Sequence, residues 1–197
     1  MNEPKLGNPA VVGLAGFGMT TLVLQFHNLG LCGLAPVIWI GLCFGGTAQL
    51  IAGLLEFRTG NNFGFAAFTG YGAFWISLCL MLIFGTNDEL VKGYGALKFT
   101  GVDLGIYLVM WTIFTGILFV VAMEYHTVLA LLFLTLLVGY IGLDLKELTG
   151  NTGAGTFAAY DLIVCAALAL YLMMATVAGD AGMNLPVGKP WLHAHAA

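Results

Sequence analysis

Where this chain carries no charge decides most of what it can become. No Asp, Glu, Lys or Arg lies between Leu6 and Leu55, between Thr59 and Asn87, or between Leu104 and Met123. Such runs are bilayer-sized, since an α-helix of roughly 20 apolar residues crosses the hydrocarbon. Charged residues make up 8% of the chain and apolar ones 60%, against about 25% charged in soluble domains, so an ordinary cytosolic fold does not fit. A length of 197 residues holds six spans with their turns and leaves little for a soluble domain. The expected fold is all-α: a polytopic membrane protein with one six-span domain over residues 1–180 and a C-terminal tail over 181–197.

Helix starts and stops place the spans. Asn8 caps a first helix with Pro9 at its first position, running over about 9–27 and ending in His27-Asn28-Leu29-Gly30. Pro36 opens a second over about 36–57, which Thr59-Gly60-Asn61-Asn62 breaks, and a third follows over about 63–84. Residues 86–101 read as an exposed loop, and Asp103 as the cap of a fourth span over about 103–123. Glu124-Tyr125-His126 reads as a tight turn into a fifth span over about 126–143, and a sixth covers about 153–179. The tail holds Pro186 and Pro190 without a periodic apolar face and is expected to be mobile.

A weak repeat runs through these spans. Thr149-Gly150-Asn151-Thr152 stands between spans five and six as Thr59-Gly60-Asn61-Asn62 stands between two and three, each after a short charged cluster. Two halves of three spans would enter the membrane upside down to one another, an arrangement of transporters and channels with the path between the halves. An even number of spans puts both termini on one face, taken as the cytoplasm. The positive-inside count does not decide this, since Lys5, Arg58 and Lys189 oppose Lys92, Lys98 and Lys146. The polar N-terminus runs into the first span without a small-residue cleavage site, so that span is expected to stay.

Several functions are disfavoured by what the chain carries. Six Lys and Arg and a net charge of −4 give no basic surface for nucleic acid. Cys32, Cys43, Cys79 and Cys165 form no CxxC pair and read as inert thiols. No GxSxG, HExxH or GxGxxG occurs, and Ser77 has no His at helical spacing, so it reads as bonded to its own helix. His193 and His195 form an HxH in the tail with no third ligand nearby. No catalytic residue, metal or cofactor is expected.

The glycines say more, because 28 of them sit in a chain of helices, where each costs roughly 1 kcal/mol against Ala in water. Gly41, Gly45, Gln49 and Gly53 recur every four residues on one helix face. The glycines suit a close helix seam. Gln49 does not, since a primary amide at mid-membrane depth needs protein, water or a passing solute to bond. Phe17 and Thr20 in span one, and Phe68, Tyr71 and Trp75 in span three, form stripes that fit either packing or a pore wall.

The run Asn8-Pro9-Ala10-Val11-Val12-Gly13-Leu14, then Gly16-Phe17-Gly18-Met19-Thr20-Thr21 and His27-Asn28, resembles the signature of the acetate uptake transporter family, the succinate–acetate permeases. Gly45-Gly46, Gln49, Ala52-Gly53, Glu56, Gly60-Asn61, Phe63-Gly64, Ala67-Phe68-Thr69, Tyr71-Gly72 and Phe74-Trp75 extend the match. It is dense over residues 5–80 and loose beyond. Val11 and Val12 replace the usual Pro and Leu. The resemblance implies a homo-hexamer in the cell (inner or plasma) membrane that passes acetate and other small carboxylates, in some members succinate. It also implies a hydrophobic constriction from a Phe, a Tyr and a Leu, which fall on Phe17, Tyr71 and Leu134.

That substrate suits the residues. A carboxylate is ionised at neutral pH and needs donors to replace its water, yet no Lys or Arg sits inside a span. The donors left are amides, hydroxyls and helix N-termini such as those behind Asn8 and Asn61. Asn8, Thr20, Gln49 and Asn61 are therefore the expected solute-binding residues beside the constriction. Asp161, the one acid well inside a span, is the candidate for coupling to protons, with a bond to Tyr160, Tyr171 or a freed helix N–H as the plainer reading. A channel for a small neutral amide such as urea, and an intramembrane enzyme, stay open as alternatives.

Overall fold

In the computed structural model, which describes residues 7–192, six helices are long and apolar enough to cross a membrane. They are α1 (Ala10–Asn28), α2 (Ala35–Thr59), α3 (Asn62–Gly85), α4 (Gly101–Ala122), α5 (Thr127–Thr149) and α6 (Thr152–Asp180). Neighbours in sequence are neighbours in space: α1 packs on α2, α2 on α3, α4 on α5 and α5 on α6. α6 then packs on α1, and α3 meets α4 more lightly, so the helices close into a ring. Their inward side chains form one apolar core containing Phe17, Tyr71, Phe74, Trp75, Phe133, Leu136 and Tyr140.

The two break points are built alike. Gly60 and Gly150 end α2 and α5 at φ 79° and 74°, a left-handed conformation that a Cβ would strain. The next residue caps the following helix in both places: Asn61 Oδ1 accepts the Gly64 N–H at 3.0 Å, and Asn151 Oδ1 the Ala154 N–H at 3.1 Å. The repeat is thus present in the backbone at the two break points.

α2 is irregular. Between α-helical Ala35–Ile40 and Gln49–Thr59, residues Gly41–Ala48 form a π-helix, with Thr47 Oγ1 donating to Leu42 O at 2.8 Å. A four-residue step overshoots an α-turn by about 0.4 residue. The wider π-turn rotates less per residue and holds Gly41, Gly45 and Gln49, all buried, to the inside. The close approach this permits is seen at Gly41 and Gly45, where a Cβ would collide with Cys79 Sγ and Thr20 Oγ1 respectively.

Four expectations change. α5 runs to Thr149, six residues beyond Leu143, because its charges find partners: Thr112 Oγ1 donates to Asp144 at 2.6 Å, and Lys146 pairs with Glu147 at 2.8 Å. Thr100, and not Asp103, caps α4; Asp103 is the third helical residue of a capping box and bonds back to the Thr100 N–H at 2.7 Å. The loop after α3 contains a short helix, Asp88–Gly93. The described part of the tail is strapped down. Val128 donates to Val187 O at 3.0 Å, Trp191 to Met123 O at 2.8 Å, Thr127 Oγ1 to Lys189 O at 2.8 Å and Tyr171 Oη to Pro186 O at 2.7 Å. Lys5, His193 and His195 lie outside the described residues.

Candidate functional site

α1, α3 and α5 run the same way, so their first turns share one face of the ring. A cavity of about 310 Å³ opens there. Asn8, Asn61 and His126, which precede those three helices, all line it, with Thr176 from the far end of α6. Pro9, and not Asn8, stands at the N-cap of α1, whose first residue is Ala10; Asn8, one residue further out, accepts the Ala10 N–H on its Oδ1 at 2.9 Å. The Asn61 amide is held at both ends, since its nitrogen donates to Glu56 at 2.8 Å while its oxygen caps α3. His126 Nδ1 accepts the Leu129 N–H at 3.2 Å and caps α5. Free N–H groups and the positive ends of the helix dipoles therefore gather at this mouth.

Going inward the wall becomes apolar, with Leu14, Phe68, Leu129 and Leu132, and it ends on Phe17 and Tyr71. Those rings lie 5.6 Å apart, tilted at 54°, and Phe133 stands 6.4 Å from Tyr71. The Tyr71 hydroxyl is bonded to Thr115 Oγ1 of α4 at 2.8 Å, which holds the ring in place beside Phe17.

Beside this floor sits Gln49. It lines the cavity, its exposure is 0%, and neither amide atom has a hydrogen-bond partner among the described residues. Thr20 Oγ1 and Trp75 Nε1 are also buried and unpartnered. Thr20 is one turn beyond Phe17 and Trp75 one turn beyond Tyr71, so the unsatisfied donors lie past the aromatic pair. Both side chains stand within 4 Å of where a Cβ on Gly41 would be. Buried polar groups without partners cost roughly 1–3 kcal/mol each in proteins, and three together mark a place where something else bonds.

Of the expected residues, Asn8, Phe17, Gln49, Asn61 and Tyr71 are brought together on one cavity wall, and Thr20 lies just beyond. Leu134 does not join them. It is half-buried, and residues one and two turns along its stripe, Val138 and Ile141, line an outer groove. The buried α5 side chains in the core with Phe17 and Tyr71 are Leu132, Phe133, Leu136 and Tyr140. Asp161 is off the cavity too; its Oδ2 is buried without a partner among the described residues, and Tyr171 is bonded elsewhere. Ser77 donates to Ala73 O of its own helix at 2.8 Å, as expected. His126 and the Thr115 anchor were not anticipated. For His126 a signal existed, a polar residue directly before an apolar run, which is where an N-cap belongs.

Comparison with known proteins bears on this site. The sequence profile of the GPR1/FUN34/yaaH family matches residues 1–189. The succinate-acetate/proton symporter SatP of Escherichia coli (strain K12) is 37% identical over 195 residues, covering 96% of this chain and 99% of its own. Acetate permease A of Emericella nidulans is 37% identical over 138 residues, 67% of this chain and 46% of its own. A solved structure of the bacterial acetate channel SatP superposes with a TM-score of 0.84 at 38% identity, covering 93% of this chain and all of that one. With the profile spanning nearly its whole length, the chain belongs to the GPR1/FUN34/yaaH family.

Proposed function

We propose that this protein passes acetate and related short carboxylates across a membrane, through the cavity and between Phe17 and Tyr71. The observation that carries the reading is Gln49, a fully buried amide with both ends unpartnered at the inner end of a cavity whose mouth gathers helix N-termini. A carboxylate meets partial positive charge at the mouth, sheds water against the apolar wall, and finds Gln49, Thr20 and Trp75 as donors around the aromatic pair. Leu136 completes the constriction in place of Leu134: it stands nine residues into α5, as Tyr71 stands nine into α3, and belongs to the same core. No fixed charge is needed, and a shallow site favours release.

One relative is named a symporter and one structure a channel. Asp161, with its buried unpartnered Oδ2, supports the proton-coupled form as a second reading. The apolar face of α4, with Ile106, Met110, Ile113 and Ile117 exposed, suits lipid or sister protomers in a homo-hexamer. Uptake of labelled acetate into proteoliposomes, with and without a pH gradient, tests the proposal. Uptake with no gradient supports a channel, uptake only with an inward proton gradient supports coupling, and a folded protein that takes up none refutes both.

A further inference from the structure

The three polar residues that precede the helices around the cavity mouth leave different groups for a solute. Asn8 and Asn61 spend their oxygens on backbone N–H groups, and Asn61 also spends an amide hydrogen on Glu56. In His126 the division is set by the ring. Nδ1 accepts the Leu129 N–H, and a nitrogen that accepts carries no proton, so the neutral imidazole holds its hydrogen on Nε2. That opposite edge has no partner among the described residues. The ring is half-buried and lines both the main cavity and a smaller one of about 240 Å³ between α6 and the tail.

We propose that His126 is the solute-selecting donor of the mouth, its Nε2–H bonding a carboxylate oxygen before the anion moves inward to Gln49. This rests on the reading of the cavity as the solute path. Two features favour it. Gln49, buried and unpartnered at the inner end of the same cavity, gives the anion a second station. Carboxylates nearby also mean that an anion here needs a donor: Glu124 lies two residues before His126 and Glu56 stands behind Asn61, while Tyr125 on the same wall is neutral at neutral pH. From α6 and the tail the residues lining the smaller cavity are Leu172, Thr176, Asn184 and their apolar companions, none of which titrates, and the tail also brings the charged residue Lys189 alongside, its carbonyl bonded to Thr127, the residue after His126. Burial also lowers the His126 pKa, which keeps the neutral tautomer at neutral pH. A hydrogen bond to a charged acceptor is roughly twice as strong as one to a neutral acceptor, so this donor favours a carboxylate over an amide of equal size.

The test separates donor from cap. His126→Asn and His126→Asp both supply an N-cap oxygen for Leu129, but Asn keeps an N–H donor while Asp replaces it with a negative charge. Initial rates of acetate and acetamide uptake into proteoliposomes are measured against concentration, with thermal unfolding of each variant alongside. His126→Asn should hold the half-saturating acetate concentration within about threefold of the wild type. His126→Asp should raise it at least tenfold, with the unfolding temperature held and the half-saturating acetamide concentration moving by less than about threefold. A folded His126→Asp variant with wild-type half-saturation for acetate overturns the proposal and leaves His126 a helix cap. Absence of acetate uptake by the wild type would instead overturn the pathway reading on which it rests.

Discussion

Replacing Gln49 with Leu separates a solute-binding amide from a structural one, because the two roles move stability in opposite directions. Gln49 has 0% exposure and no bond at either amide atom among the described residues, so the fold they form gains nothing from its polarity and bears its desolvation, roughly 1–3 kcal/mol by protein measurements. Leu has similar bulk without the cost. Gln49→Leu should therefore unfold at the same temperature or higher. The anion loses a hydrogen bond to a charged acceptor, worth about 1.5–3 kcal/mol, so acetate flux should fall by about 10- to 100-fold. Labelled acetate uptake and thermal unfolding in detergent, on one preparation, read both numbers. A variant that is less stable and transports normally would show that Gln49 bonds within the protein, and the polar station beside the constriction would be gone.

Other outcomes follow from the same geometry. Leu136→Ala opens the side of the constriction that faces Phe17 and Tyr71 and should raise lactate uptake relative to acetate, while Leu134→Ala should leave that ratio unchanged; competition assays decide between them. Tyr71→Phe removes the bond to Thr115 and strands a buried hydroxyl, so it should cost about 1 kcal/mol of stability and slow acetate without admitting larger acids. Because burial lowers the His126 pKa from its ordinary 6.5, the unfolded chain binds more proton between that pH and the folded value. Unfolding temperature should accordingly fall as pH drops through this window, and His126→Asn should abolish that part of the fall.

The spans were legible because the signals that delimit them are local. Charge-free runs give their number, and Gly60-Asn61 and Gly150-Asn151 punctuate the chain with residues whose conformations are used in both places. What escaped notice depends on partners distant in sequence. Asp144 looks like a helix end until Thr112 is seen to bond its Oδ2, and the tail looks loose until its carbonyls are seen to accept from Val128 and Thr127. The π-turn cannot be read from Gly41-Leu42-Cys43-Phe44-Gly45 because glycines permit it without requiring it. Leu134 and Leu136 could not be told apart because from Leu129 to Leu137 every residue but Thr135 is apolar, so periodicity does not mark the face that turns inward.

The path itself is tested most directly by blocking it. In a background with Cys32 and Cys43 replaced by Ser, which leaves only the buried Cys79 and Cys165, Leu129→Cys puts one reactive thiol on the cavity wall. A bulky thiol reagent should then stop acetate flux in proteoliposomes, and high acetate should slow the modification. Complete modification of that cysteine, confirmed by mass, with flux undiminished would mean that the solute does not pass through this cavity.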